Sequence, residues 1–376
     1  MSEAQANHPW RLPRRDYILL PLIFVMTALV VLAGGEVSVR LIYVQDDAAE
    51  PCAYSTPFGF RFKPLCTSQT KVWEGPWITQ HFNECGYRTA ESCAPRPSGM
   101  PRIVVVGSSV ARGALVNYPQ SFAARASAVL TDRCRTMVDF QNLGTNPSDF
   151  DRIDQRIPEA LALKPSAIVM TTGPFDLMHQ KDPPPDQEHK ELPARIDLRG
   201  MVSILRESRL FMVLQYYLYR DPLFHIRSFL RNGDSADYVR RPLSAAWRQR
   251  LADLGDLLGR ITSLTAPTHV PLLLFYVPDR AQAALAAFGS DLPNVDPMVL
   301  GEALEKVAAA RSVRFFDTTR AFAAAPDFQS LFYLTDGHAR DGGHAALAAV
   351  VEEALLSEPA FANCRQERSS QSALGR

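Results

Sequence analysis

The chain carries no net charge: 40 Lys and Arg residues balance 40 Asp and Glu over 376 residues. A nucleic-acid-binding face shows itself as a basic excess, so nothing points to a nucleic-acid partner. No C-x-x-C pair occurs among the six cysteines, which argues against the usual zinc patterns, and no metal or organic cofactor is expected. Charge is also missing locally. Tyr17 to Gly35 holds no Asp, Glu, Lys or Arg, and as a helix that run spans roughly 28 Å, enough to cross a bilayer.

Arg11, Arg14 and Arg15 precede the apolar run, whereas Asp46, Asp47 and Glu50 follow Arg40. The positive-inside rule places residues 1–16 in the cytoplasm as a tail, with an anchor over 17–40 and everything after it outside. The expectation is a single-pass protein of the inner membrane whose main domain is periplasmic. A cleavable signal peptide ending near Ala33-Gly34-Gly35 is the rival, but the apolar part is longer than a usual signal core. Cys52, Cys66, Cys85 and Cys93 crowd into one loop-rich stretch, with Cys134 and Cys364 far away. Outside the cytoplasm such a set reads as a disulfide framework. Four clustered cysteines allow three pairings.

Residues 45–101 hold many turn formers and aromatics and little periodicity, and read as an irregular cover tied by disulfides. From Arg102 onward strands and helices alternate. Ile103–Val106, Met137–Leu143, Ala167–Thr172, Pro271–Val277 and Val313–Phe316 read as strands, and Trp247, Leu251, Leu254, Leu258 and Ile261 fall on one helical stripe. The alternation predicts an α/β domain with a parallel sheet covered on both faces, built from 102–180 and 243–360. Residues 181–242 break the rhythm and read as a helical insertion. Its aromatics suit either a small core of its own or a lid or membrane-resting surface. Residues 361–376 read as a disordered tail.

The chemistry gathers in two places. Ile103–Val106 runs into Gly107-Ser108-Ser109, which places a serine where a strand hands over to a helix. Near the other end, YLTDGHARDGGH brings Asp336 and His338 within two residues of each other. A serine needs a base to take its proton, and the base works best when a carboxylate fixes its tautomer. Ser109, His338 and Asp336 supply those parts, with Asp341 the alternative acid and His344 read as structural. Glycines close three strands at Gly107, Gly144 and Gly173, where backbone N–H groups can approach a ligand and form an oxyanion hole.

This combination resembles the SGNH or GDSL-type esterases and acyltransferases. The resemblance covers roughly 100–180 and 265–356, and implies a flavodoxin-like three-layer α/β/α sandwich preceded by one transmembrane helix. It makes Ser109 the nucleophile, matches Gly144 to the second block, matches Gly173-Pro174-Phe175-Asp176 to the third, and matches Asp336-Gly337-His338 to the last. The piece Asn83 to Thr89, NECGYRT, resembles the entry segment of membrane-anchored members. Two departures stand out. Ser108 replaces an Asp, and Phe175 replaces the Asn that donates to the oxyanion, a role for which Asn146 is the nearest substitute in sequence. Asp176 then braces its loop, and His179 lies just beyond.

The function expected is a serine esterase acting outside the cytoplasm on an O-acylated envelope glycan or lipid through an acyl-serine intermediate. The alternatives are an O-acyltransferase to a polysaccharide and a non-catalytic binding or assembly protein on the same fold, which the Phe175 substitution favours. An α/β-hydrolase reading of GSSVA fits poorly, because here the serine follows the first strand of the domain.

Overall fold

The structure, a computed structural model, describes residues 13–43, 50–178, 208–290 and 292–364. It divides into two compact units, one of 1–44 with 193–215 and one of 45–192 with 216–376.

In the smaller unit, the helix Asp16–Ile42 is long and apolar enough to cross a membrane. Its side chains, Phe24, Val30, Val31 and Leu32 among them, are exposed all round, as expected of a helix whose solvent is lipid. Glu36 is half-buried. Its carboxylate accepts from Ser208 Oγ at 2.7 Å and from the N–H groups of Arg209 at 3.0 Å and Leu210 at 2.9 Å. It thus caps the opening of the helix Arg209–Tyr219, where unpaired N–H groups favour an anion.

The larger unit begins with two hairpins where the sequence suggested irregular chain. β1 (Ala53–Thr56) pairs with β2 (Gly59–Phe62), and β3 (Thr67–Thr70) with β4 (Ile78–His81), both antiparallel. Four-residue strands rich in Thr and Ser carry too little apolar alternation to be read from sequence. The disulfides Cys52–Cys66 and Cys85–Cys93 tie this region, and Cys134–Cys364 joins two segments 230 residues apart.

The main sheet contains β5 (Arg102–Val106), β6 (Asp139–Asn142), β7 (Ala167–Thr172), β8 (Leu272–Tyr276) and β9 (Arg314–Asp317). They lie all parallel in the order β6-β5-β7-β8-β9. Alternate residues feed the two faces. Val104, Val106, Ile168, Met170, Leu272 and Leu274 pack under the helices Ile157–Ala162, Ala245–Thr265 and Val299–Ala309. Ile103, Val105, Ala167, Val169, Leu273 and Phe275 pack under Phe122–Cys134 and Asp341–Leu356. This is a three-layer α/β/α sandwich of flavodoxin-like strand order, and β5 stands at its switch point, where a crevice opens at the carboxyl edge.

A buried ionic knot fastens the hairpin region to this sheet. Asp139, fully buried on β6, accepts from Arg102 Nε at 2.5 Å, Arg96 Nε at 3.0 Å and Gln141 Nε2 at 2.8 Å. Arg102 directs its remaining donors to the carbonyls of Ser92, Cys93 and Ala94, so both charges are fully engaged.

Two boundaries differ from expectation. In the stretch read as an insertion, 181–207 lie outside the described residues. The rest forms the helices Arg209–Tyr219 and Pro222–Phe229, and its Ile226, Leu230, Tyr238 and Val239 join the main core instead of making one of their own. Residues 361–364, expected to belong to a disordered tail, are ordered: Phe361 is buried and Cys364 is disulfide-bonded, because the cystine holds that turn against the helix Phe122–Cys134. Residues 365–376 lie outside the described residues.

His344, on the second core face, accepts the Phe122 N–H through Nδ1 at 3.3 Å. Burial, and then the charges of Arg88, His338 and Arg125, press its pKa from 6.5 down to about 3. Between those values the unfolded chain binds a proton that the folded chain refuses, so stability is lost as pH falls below about 6.5. For this group the loss is about 1.4 kcal/mol per pH unit. Urea unfolding at pH 7 and pH 5 should show that loss, and His344→Gln should shrink it.

Candidate active site

The turn after β5 is built around Gly107. Its φ of +145° is one that side chains avoid, and a Cβ there would meet the Ala111 Cβ and the Thr171 Oγ1, each at 2.7 Å. Ser109 opens the short helix Ser109–Arg112, so its N–H has no acceptor within that helix. Gly113, at φ +69°, closes it. Neighbouring elements hold the helix from both sides. Asn142, at the end of β6, donates its Nδ2 to the Ala111 carbonyl at 2.8 Å, and Arg88 donates to the carbonyls of Arg112, Gly113 and Val116. Arg88 is almost wholly buried. Burial, with the neighbouring Arg112, lowers its pKa to about 9, so the cation persists at neutral pH beside carbonyls that suit it. Asn83, which opens the same NECGYR segment, folds that segment by accepting from the N–H groups of Cys85 and Tyr87, both at 3.0 Å.

The second loop turns through Gly337 at φ +86°. It brings His338 Nδ1 to 2.6 Å from Asp336 Oδ1 and Nε2 to 2.8 Å from Ser109 Oγ. An ionised carboxylate can only accept, so Nδ1 carries the proton and Nε2 is left to accept from the serine hydroxyl. Burial works to raise the Asp336 pKa, but the hydrogen bonds and charge of His338 outweigh it and hold the carboxyl below the ordinary aspartate value. Asp336, His338 and Ser109 are therefore connected in one chain of hydrogen bonds, the arrangement that an orienting acid, a base and a nucleophile require.

Glu74, from the hairpin region, fixes this loop. Its carboxylate accepts from the N–H groups of Leu334 at 2.7 Å, Thr335 at 2.9 Å and Asp336 at 3.0 Å, and from Thr335 Oγ1 at 2.7 Å. Successive N–H groups turned toward one anion form a nest. Tyr333 adds a second tie, donating its hydroxyl to the Leu115 carbonyl at 3.0 Å. Sequence reasoning missed Glu74 because its partners lie some 260 positions away and KVWEGP carries no pattern of its own.

The other expected residues fall as follows. Asp341 pairs with Arg125 instead of with His338, which removes it as the acid. The Gly144 N–H donates to Asn142 Oδ1 and the Gly173 N–H to Asp176 Oδ2, each at 2.9 Å. Their second role is close packing: a Cβ on Gly144 would lie 2.4 Å from the Arg112 nitrogen, and one on Gly173 would lie 2.9 Å from the Val277 oxygen. Asp176 braces its loop through that bond. Asn146 stands half-buried at the start of the 3₁₀ segment Pro147–Arg156 and makes no capping bond to it. Phe175, in the helix Pro174–Met178, is half exposed and brings no polar donor. His179 lies outside the described residues. Among the described residues, no group of three or more His, Cys, Asp or Glu is placed to hold a metal ion.

No family model and no curated protein sequence matches the chain. Among solved structures it is similar to the lipase/acylhydrolase from Enterococcus faecalis, at 15% identity over 68% of this chain and 95% of that one, with a TM-score of 0.38. It is similar also to a member of the lipolytic protein G-D-S-L family from Veillonella parvula, at 14% identity over 67% and 96%, TM-score 0.35. A lipase from a goat rumen metagenome gives 12% identity over 68% and 97%, TM-score 0.40.

Glu74→Gln keeps the size of the side chain but replaces an acceptor-only carboxylate by an amide with two donors. Each buried donor left unpaired costs about 1–3 kcal/mol. Amide hydrogen exchange at Leu334, Thr335 and Asp336 should therefore quicken by about ten- to a hundredfold in this variant, while strands β5 and β7 stay protected.

Proposed function

We propose that the chain is a serine esterase that cleaves O-acyl esters through an acyl-serine intermediate. The observation that carries this reading is the continuous relay from Asp336 through His338 to Ser109, with contacts of 2.6 and 2.8 Å. Ser109 Oγ attacks the acyl carbonyl while His338 Nε2 takes its proton. The tetrahedral oxyanion accepts from the Ser109 N–H, and the Gly144 N–H joins it by sharing its hydrogen between Asn142 Oδ1 and the oxyanion. His338 returns the proton to the leaving alcohol, and the acyl group remains on Ser109. Water, deprotonated by the same imidazole, then releases the acid. A sugar hydroxyl in place of that water makes the reaction a transfer. Asp336 keeps the proton on Nδ1 and steadies the imidazolium while it exists.

Location supports the choice of substrate. The apolar helix Asp16–Ile42 suits an anchor with its amino terminus in the cytoplasm, preceded as it is by Arg14 and Arg15. Three disulfides suit an oxidising compartment. A domain tethered on that side meets acylated envelope glycans and lipids, which are the substrates we assign.

The test is hydrolysis of 4-nitrophenyl acetate by the full chain in detergent. Ser109→Ala and His338→Ala should each lower kcat by at least about a thousandfold, and Asp336→Asn by about ten-thousandfold through the wrong imidazole tautomer. Turnover that survives Ser109→Ala, or a folded wild-type protein inert toward this and other activated esters, contradicts the reading.

A further inference from the structure

β8 ends at Tyr276 and passes through Val277-Pro278-Asp279 into the helix Arg280–Phe288. The Val277 N–H donates to the Thr172 carbonyl at 2.8 Å, so this loop lies beside the Gly173 loop at the same carboxyl edge of the sheet as Ser109. Arg280, the first residue of the helix, is 3% exposed. One arm of its guanidinium is used: Nη2 donates to the Tyr219 carbonyl, and the group lies 5.9 Å from the Tyr219 ring centroid. The other arm is empty, for Nη1 is buried without a hydrogen-bond partner among the described residues.

Nearby carboxylates do not fill that gap. Asp279 is committed to the Gln282 N–H at 2.8 Å and to the Tyr238 hydroxyl. Glu74 is near enough for its charge to act on Arg280, but it is held by its four contacts with Leu334, Thr335 and Asp336. Burial brings the Arg280 pKa only to about 10, so the group stays charged. His225, packed on the Tyr219 ring at 4.5 Å, has a second buried nitrogen, Nδ1, without a partner. A buried cation with an empty donor is costly unless an anion completes it.

We propose that Arg280 anchors an anion subsite of the substrate crevice, taking an oxyanion, carboxylate or phosphate, of the molecule whose ester reaches Ser109. His225 flanks the subsite as a neutral donor through Nδ1. Resting on the esterase reading, this narrows the substrate to an acylated molecule that is itself anionic. An acidic glycan brings a carboxylate; a phospholipid or glycerophosphate polymer brings a phosphate. Arg holds either in a planar fork that Lys lacks.

The test measures binding, so it does not depend on turnover. Full-length protein in neutral detergent is titrated calorimetrically with glucuronate, with glycerol 3-phosphate, and with glucose as the uncharged control, at fixed ionic strength. One of the two anions should bind at one site per chain and glucose should not; which anion binds identifies the source. Arg280→Met should weaken that binding at least tenfold, and Arg280→Lys should weaken it at least fivefold while keeping the wild-type melting profile. If Arg280→Met does not fold, the Lys variant decides. No binding by either anion, or equal binding by wild type and the folded variants, overturns the proposal. Anion binding by a protein inert toward esters leaves the subsite standing and removes the esterase reading instead. Bound anion that does not compete with 4-nitrophenyl acetate in an active enzyme places the subsite outside the crevice and overturns the proposal as stated.

Discussion

A hydrogen bond of 2.8 Å joins Ser109 to His338 across 229 positions of chain. A deviation of an ångström in either loop removes it, and the surrounding structure is arranged to prevent one. On the serine side, Gly107 makes the turn possible, Asn142 holds the helix from β6, and Arg88 closes its carbonyl end. On the histidine side, Glu74 gathers three successive N–H groups and Tyr333 reaches back to Leu115. Arg88 and Glu74 both belong to the stretch before the main sheet. That stretch thus holds both loops of the Ser109–His338–Asp336 relay, and the ionic knot at Asp139, together with two disulfides, keeps it in place.

What was legible in the sequence depended on local pattern. The central strands β5, β7 and β8 announced themselves as short apolar runs, because a central parallel strand is buried on both faces. Ser109, and Asp336 with His338, stood out because each lies in a short local motif, whereas the meeting of the two motifs across 229 positions is set by the fold. Glu74, Asn142 and Arg280 did not stand out, since each acts on partners set by tertiary folding. The commitment of the Gly144 and Gly173 N–H groups to Asn142 and Asp176 was equally hidden, for a glycine at a strand end is compatible with a free donor or a bonded one. The aromatic helix Arg209–Tyr219 buries none of its side chains, whereas Tyr238, further along, packs against Trp247 in the main core. Composition does not say which core a side chain joins.

Buried arginines divide the molecule by task. Arg102 meets a carboxylate, and Arg88 meets carbonyls at a helix end. Both direct their terminal nitrogens to partners within the protein and serve the fold, and the Arg88 Nε is buried without a hydrogen-bond partner among the described residues. Arg280 is left with an empty donor at the carboxyl edge of the sheet, where Ser109 also lies. The subsite we propose gives that donor an anionic partner, and the charge of the guanidinium fixes the sign of the ligand.

The central claim is that Ser109 Oγ is a nucleophile activated by His338. The most direct measurement is the intact mass and peptide map of the full-length protein after treatment with a fluorophosphonate. The account predicts one adduct per chain, on the peptide containing Ser109, and no adduct in folded His338→Ala over the same period. A folded wild-type protein that takes up no label, or one labelled equally fast without His338, would contradict it.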